Sequence, residues 1–296
     1  MNSLNKNEIT IPNLFIVGAA KAGTTALWTF LKTHPQVFMA GASIENKEPC
    51  FFVDGYGLTN LNTYLSMFIN CNNAKVIGDA SAAHLSSPGA AGKIYEFNPD
   101  AKIIICLRNP IDRAYSLYNW MVQEGYEWSN SFELALSKEP SRSRKMPPYF
   151  FARAYRDDYM YFNSGLYSEQ VKIFLDLFGK NVKVIIFERM IKDPHSVLED
   201  CMDFLGIEKI HVKLGQENPS VAVYSSYLQW FLRTLDSEKM RFNKTWPQNF
   251  FVQWGWKRVQ PRKMSAVTRN SLIAKYESDI KLLQEMIQTD LTGWLT

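Results

Sequence analysis

The sequence predicts an α/β fold: one domain with a central parallel sheet flanked by helices, entered through a strand–loop–helix unit shaped for phosphate. Three observations carry this. Short, nearly unbroken apolar runs stand at Leu14–Val17, Ile103–Leu107 and Val182–Phe187. Continuous apolarity without alternation marks strands buried on both faces, as in a parallel sheet. Amphipathic helical segments fall between the runs, the alternation that right-handed crossovers produce. A glycine-bearing turn follows the first run.

In chain order, the polar stretch over about 1–11 reads as a tail, and Leu14–Val17 is the first strand. A helix over Thr25–Lys32 ends before His34–Pro35, because proline disfavours helix in the residue before it. Val76–Gly78 is a weaker strand candidate. Ile103–Leu107 follows, then a helix over Ile111–Gln123 opened by Pro110, a favoured first-turn residue. The helix Tyr167–Phe178 carries apolar residues at 171, 174, 175 and 178 and stops at Gly179. Pro194–Leu205 and Ser265–Gln288 are amphipathic as well. The stretches over about 141–160 (basic, then proline-bearing, then aromatic) and 225–263 (Trp, Phe and basic residues) break the pattern. They read as insertions beside a ligand site within a single domain over 1–296.

Among 296 residues, 46% are hydrophobic and 14% aromatic, which excludes a disordered or low-complexity chain. A net charge of +4 is too mild to indicate nucleic acid, but suits a protein that holds a small polyanion. The 4 cysteines, Cys50, Cys71, Cys106 and Cys201, lack the clustering of a zinc site or a disulfide framework. The start carries no apolar leader, and no apolar run approaches the roughly 20 residues of a membrane span. The expectation is a cytoplasmic protein without membrane insertion.

The strongest local signal is GAAKAGTT (Gly18–Thr25), between the first strand and the first helix. Glycine permits the tight turn, successive backbone N–H groups form a concave nest, and the helix N-terminus adds its positive end. Lys21 supplies a point charge, and Thr24 and Thr25 supply hydroxyls. The loop departs from GxxxxGK[ST], where lysine directly precedes the hydroxyl that holds magnesium. Here Gly23 precedes Thr24, and Lys21 lies inside the loop. A second signal is CLRNPIDRAYS (Cys106–Ser116). Arg108 sits at the carboxyl end of a buried strand, where open α/β sheets place ligands, and Ser116 lies in the next helix. An arginine fork and a hydroxyl there suit a second phosphate. Arg113 reads as the partner of an acid, Asp112 or another.

Together these segments resemble the nucleotide-binding elements of the sulfotransferase superfamily, whose sulfuryl donor is 3′-phosphoadenosine 5′-phosphosulfate (PAPS) and whose product is 3′-phosphoadenosine 5′-phosphate (PAP). GAAKAGTT resembles the family's 5′-phosphosulfate loop and LRNPIDRAYS its 3′-phosphate element. The likeness continues in KEPCFF (Lys47–Phe52), VIGDASAAHL (Val76–Leu85), FNSGLYSEQV (Phe162–Val171) and the C-terminal helix, most closely in the heparan-sulfate-type and bacterial branch. The resemblance implies cofactor contacts from Ala20, Lys21, Ala22, Gly23, Thr24, Thr25, Arg108, Ser116 and Tyr167. It adds Lys257 and Arg258 of WGWKRVQP as a closing basic loop, without the family's glycine before the arginine.

For the chemistry, the resemblance implies in-line transfer to a hydroxyl or amine. Lys21 would stabilise the leaving phosphate, and Glu48 of KEPCFF would act as general base. No metal ion is implied, since PAPS carries its own leaving group. Lys47 would face the sulfate. Cys50 replaces the histidine common at its position. Asp79 stands as a second base or as a partner orienting Lys47, and His84 as a third candidate where the family usually has tyrosine. Ala80 and Ala82 replace residues of glycan-modifying members. The expected acceptor is an intracellular small molecule or natural product, for which Trp230, Trp246, Trp254 and Trp256 offer stacking surfaces. A carbohydrate or lipid-linked glycan, held by Arg142, Arg144, Lys145, Arg153 and Arg156, is the alternative. A P-loop kinase or NTPase and a non-catalytic nucleotide-binding protein are the rivals of a different class.

Overall fold

A computed structural model describes residues 10–43, 47–69, 71, 74–145, 159–210, 222–223, 225–242, 251–257 and 263–296. In chain order the elements are β1 (Leu14–Gly18), α1 (Thr24–Lys32), β2 (Val37–Met39), α2 (Leu61–Ser66), β3 (Val76–Asp79), α3 (Ala90–Phe97), β4 (Lys102–Leu107), α4 (Pro110–Gln123), α5 (Phe132–Ser137), α6 (Glu139–Lys145), α7 (Tyr167–Phe178), β5 (Val182–Ile186), α8 (Phe187–Lys192), α9 (Pro194–Leu205), β6 (Ala222–Val223), α10 (Ser226–Phe242), β7 (Trp256–Lys257) and α11 (Ala266–Ile287). The chain falls into two compact units. One is drawn from Met1–Asn109, Ser168–Glu217 and Glu285–Gln288, the other from Pro110–Tyr167, Asn218–Gln284 and Thr289–Thr296.

The first unit holds the α/β sheet that the apolar runs predict, five parallel strands flanked by helices, in the order β2-β3-β1-β4-β5. All five residues of β1 are buried, as are all four of β3, so β1 is apolar throughout, while Asp79 at the end of β3 is accommodated by hydroxyl partners. β1 pairs with β3 on one side and β4 on the other, with Phe15 opposite Asp79 and Ile103. The strand order reverses at β1. In open α/β sheets that switch point opens a crevice beyond the carboxyl ends. β2 is an additional edge strand of three residues, too short to leave a periodic signature.

The helices end where the side chains dictate. The Asp193 carboxylate accepts from the Ser196 N–H at the start of α9, Pro194 takes the first turn, and Gly206 closes the helix at φ +70°. The Asn60 side chain accepts from the Thr63 N–H at the start of α2. α1 is different. Its N-cap is Gly23 at φ +88°, with no side-chain cap and no acidic residue in the first turn.

The second unit is mainly helical, with a short antiparallel β6–β7 ladder. The 225–263 stretch, read as an insertion, contains α10, the turn Val252–Gly255 and β7. Polar side chains organise this unit's interior. Asp112 pairs with Arg269, while the buried Arg113 donates to the Tyr161 carbonyl (2.7 Å) and Ser164 Oγ (3.0 Å) rather than to Asp112. Arg142, offered by the sequence as a contact for a glycan, is buried and donates to Glu127 Oε1 (2.9 Å), while the Tyr161 hydroxyl donates to Oε2 (2.8 Å). Among the described residues no helix is long and apolar enough to cross a membrane.

A Cβ on Gly23 would lie 2.5 Å from Met190 Cε and 2.8 Å from Phe187 Cδ2. Gly23→Ala therefore adds an overlap to a left-handed backbone that alanine disfavours. The expected loss is about 2 kcal/mol of unfolding free energy or more in a urea titration. A loss below about 0.5 kcal/mol would show that the loop has room.

Candidate active site

Each strand of the first unit carries a candidate segment at or just beyond its carboxyl end. The loop after β1 begins with two cross-strand ties: the Ala19 N–H donates to the Cys106 carbonyl on β4 (2.6 Å), and the Leu85 N–H donates to the Val17 carbonyl (2.7 Å). Lys21 adopts φ +67°, a left-handed conformation. Its carbonyl accepts from Arg108 Nη1 at 3.2 Å, which joins the first predicted phosphate element to the arginine of the second. Ala20, Lys21 and Thr25 are half-buried, and Ala22 and Thr24 are buried.

Phosphate fits this loop. Among the described residues no side chain caps the start of α1, its first turn holds no acidic residue, and the small side chains of Ala20 and Ala22 leave the backbone approachable. The Arg108 guanidinium lies 4.8 Å from the Phe187 ring centroid, a cation–π seat at the start of α8. The next residue, Glu188, accepts from the Asn109 N–H (2.9 Å) and steadies the end of β4. No motif in the sequence pointed to Phe187 or Glu188, because their role comes from β5 lying beside β4.

The connection after β2 carries Lys47 and Glu48. Lys47 is buried, and its Nζ lies 2.5 Å from Glu48 Oε1 and 3.5 Å from the Ala80 carbonyl. The Glu48 side chain stays 35% exposed, and its Oε2 accepts from the Ala82 N–H (3.2 Å). Asp79, at the end of β3, is fully buried. Its two oxygens accept from Ser81 Oγ (2.6 Å) and the Tyr64 hydroxyl (2.9 Å). Burial pushes its carboxyl up to about 6, against the lowering effect of those two hydrogen bonds. Its partners are thus hydroxyls, and Lys47 turns instead to Glu48.

His84 lies in the one-turn segment Ala82–His84, fully buried, its ring edge-on to Phe52 at 5.7 Å between centroids. Both ring nitrogens lack a hydrogen-bond partner among the described residues. Burial holds the imidazole down to about 3, with Glu48 pulling weakly the other way. Ser116 is half-buried on α4 and Tyr167 is buried at the start of α7, both in the second unit. The Lys257 backbone is in β7, and Arg258 lies outside the described residues.

A five-stranded parallel sheet with an uncapped helix start beside its switch point defines an open α/β protein. The sulfotransferase domain family model matches residues 12–245, and the chain belongs to that family. It is 28% identical over 207 residues to human heparan sulfate glucosamine 3-O-sulfotransferase 6, covering 67% of this chain and 53% of that protein. It is 27% identical over 214 residues to the bifunctional heparan sulfate N-deacetylase/N-sulfotransferase 1 of Caenorhabditis briggsae, covering 69% of this chain and 24% of that one. The chain thus spans about half or less of these relatives' length. A crystal structure of a sulfotransferase from Alicyclobacillus acidocaldarius is similar at TM-score 0.74 and 30% identity, over 97% of this chain and 100% of that one.

His84 gives a prediction with a defined sign. The unfolded imidazole takes up a proton near its ordinary value of 6.5, whereas the folded one resists down to about 3. The stability it contributes is therefore present above pH 6.5 and lost as pH falls below it. Between pH 7.5 and 5.0, unfolding free energy should fall by about 2 kcal/mol more in the wild type than in His84→Leu, by urea titration. Equal losses would mean that His84 is not held neutral.

Proposed function

We propose that this chain transfers the sulfuryl group of PAPS to a hydroxyl or amine and releases PAP. The observation carrying this reading is that, of the three candidate bases, Glu48 alone reaches solvent, whereas Asp79 and His84 are sealed in. A base must meet its substrate. Bound PAPS supplies the sulfuryl group and a good leaving phosphate.

The chain's own residues supply the rest. Loop amides with Thr24 and Thr25 hold the 5′ oxygens, and Lys21 opposes the charge that grows on the departing phosphate. Arg108 takes the 3′-phosphate. Ser116, Tyr167, Lys257 and Arg258 are proposed cofactor contacts on motif likeness. Glu48 accepts the acceptor's proton, and buried Lys47 fixes the position of its carboxylate through the contact at 2.5 Å.

The acceptor we propose is a small molecule. Support comes from Arg142, which is committed to the buried Glu127 and so is withdrawn from the basic cluster that a polyanion would use. Arg153, Arg156 and Trp246 lie outside the described residues, as do the side chains of Arg144 and Lys145. Of the remaining tryptophans, Trp254 is exposed, whereas the Trp256 indole N–H donates to the Gln123 carbonyl (3.1 Å) and Trp230 packs on Trp128. A carbohydrate acceptor is the second reading, favoured by the heparan sulfate relatives. A cytoplasmic setting is consistent with four cysteines joined by no disulfide.

Calorimetric titration with PAP, against ADP with magnesium, tests the donor. Tight binding of PAP that survives EDTA is expected, and preference for ADP with magnesium would return the chain to phosphoryl transfer. PAP release from PAPS over a panel of phenols, amines and desulfated heparan oligosaccharides then separates the acceptor classes.

Lys21→Ala should lower turnover on the order of 10²-fold or more. Glu48→Gln should lower it by about 10²–10⁴-fold with PAP affinity intact, and wild-type rates in that variant would move the base elsewhere. Arg108→Ala should weaken PAP binding by about 10-fold or more, since charge-assisted bonds contribute about 1.5–3 kcal/mol. Unchanged affinity would make Arg108 a support for Lys21 alone.

A further inference from the structure

The segment bearing Glu48 is fastened to residues 80–82 at three points. Lys47 Nζ reaches the Ala80 carbonyl (3.5 Å), Glu48 Oε2 accepts from the Ala82 N–H (3.2 Å), and the Cys50 N–H donates to Ser81 Oγ (3.0 Å). The third tie continues inward. Ser81 gives its hydroxyl proton to Asp79 Oδ1 (2.6 Å), and the Tyr64 hydroxyl saturates Oδ2 (2.9 Å). An ionised carboxylate only accepts, so Asp79 commits the Ser81 proton to itself and leaves the Ser81 lone pairs for the Cys50 N–H. That bond matters because Cys50 adopts φ +49°, a left-handed conformation a side chain disfavours, two residues after Glu48.

We propose that Asp79 is a positioning residue: through the Ser81 hydroxyl it holds the Cys50 turn, and with it the place of the Glu48 carboxylate. The assignment rests on the reading of Glu48 as base. Asp79 and Ser81 are both 0% exposed, so neither meets an acceptor. The chain Asp79–Ser81–Cys50 N–H acts on the reaction only through where Glu48 stands.

The arrangement has a pH consequence. Facing Asp79 are Tyr64 from α2 and Lys47 and Glu48 from the connection after β2; burial and Glu48 raise its carboxyl, while Ser81, Tyr64 and Lys47 lower it, leaving it at about 6. Once protonated, the carboxyl carries a donor of its own that competes for the lone pairs of its hydroxyl partners, and the Ser81 hydroxyl is no longer committed by Asp79 to one orientation toward Cys50. Turnover should therefore fall on the acid side with a midpoint near 6.

The test compares wild type, Ser81→Ala, Ser81→Thr and Asp79→Asn by calorimetric PAP affinity, by PAP release from PAPS with water as acceptor between pH 5 and 9, and by amide hydrogen exchange at Cys50. For Ser81→Ala we expect PAP affinity within about twofold of wild type, kcat lower by about 10-fold or more, and faster exchange at Cys50. Ser81→Thr, which keeps the hydroxyl, should recover most of the rate. Asp79→Asn should lose the acid limb near pH 6. If Asp79→Asn does not fold, the Ser81 pair decides. Wild-type kcat in Ser81→Ala, or an unchanged acid limb in a folded Asp79→Asn, overturns the positioning role while leaving Glu48 as base. Failure of wild type to bind PAP is a separate result that overturns the sulfuryl-transfer reading, and this assignment with it.

Discussion

The hydrogen bonding of β1 on both edges is the constraint from which the rest of the first unit follows. A charged side chain in a strand paired on either side and covered on both faces needs buried polar partners, as Asp79 at the end of β3 has, and Leu14–Gly18 carries none. The chemistry is displaced to the carboxyl end, where the peptide groups of the following turn must find partners or a ligand. Part of that demand is met internally, by Ala19 on the Cys106 carbonyl and by Leu85 on the Val17 carbonyl. At the start of α1 no described side chain caps the helix. An anion is the natural complement of such a helix start.

The charged groups around this crevice are sorted by burial. Asp79 is driven up to about 6 and His84 down to about 3, both chiefly by desolvation, so neither holds its ordinary protonation behaviour. Environments that push titratable groups apart often assign them different work. A buried imidazole at about 3 takes a proton too weakly to serve as a base near neutrality. Glu48 combines partial exposure with a buried lysine at 2.5 Å. Cys50 contributes its backbone N–H to this arrangement, a role open to many residue types.

Much of the sheet was legible because burial on both faces writes itself into β1 and β4 as unbroken apolar runs. β2 escaped because three edge residues make no period. α10 was obscured because Tyr227, Leu228 and Phe231 are exposed on it, so apolar residues occupy more than its buried side. Glycine, lysine and threonine marked the strand–helix turn between β1 and α1. The Asp79–Ser81–Cys50 chain left no trace, since hydrogen bonds between segments some thirty residues apart are invisible in composition and spacing. Arg142 misled for the same reason: its neighbours in sequence are basic and polar, while its partner Glu127 lies 15 residues away.

The departure of the loop from the lysine-before-threonine pattern has a structural counterpart. When lysine begins the helix, its backbone is held by helical hydrogen bonds; here Lys21 precedes the helix at φ +67° and needs other support. Arg108 provides it by donating to the Lys21 carbonyl, and Arg108 is in turn seated against Phe187. Phe187 also closes on Gly23, where a Cβ would overlap it. The lysine, the arginine and the helix start thus share one support at the beginning of α8, so a ligand that draws Arg108 toward itself also acts on the backbone that aims Lys21. The Lys21 backbone, the Arg108 side chain and the start of α1 are mechanically linked in this arrangement.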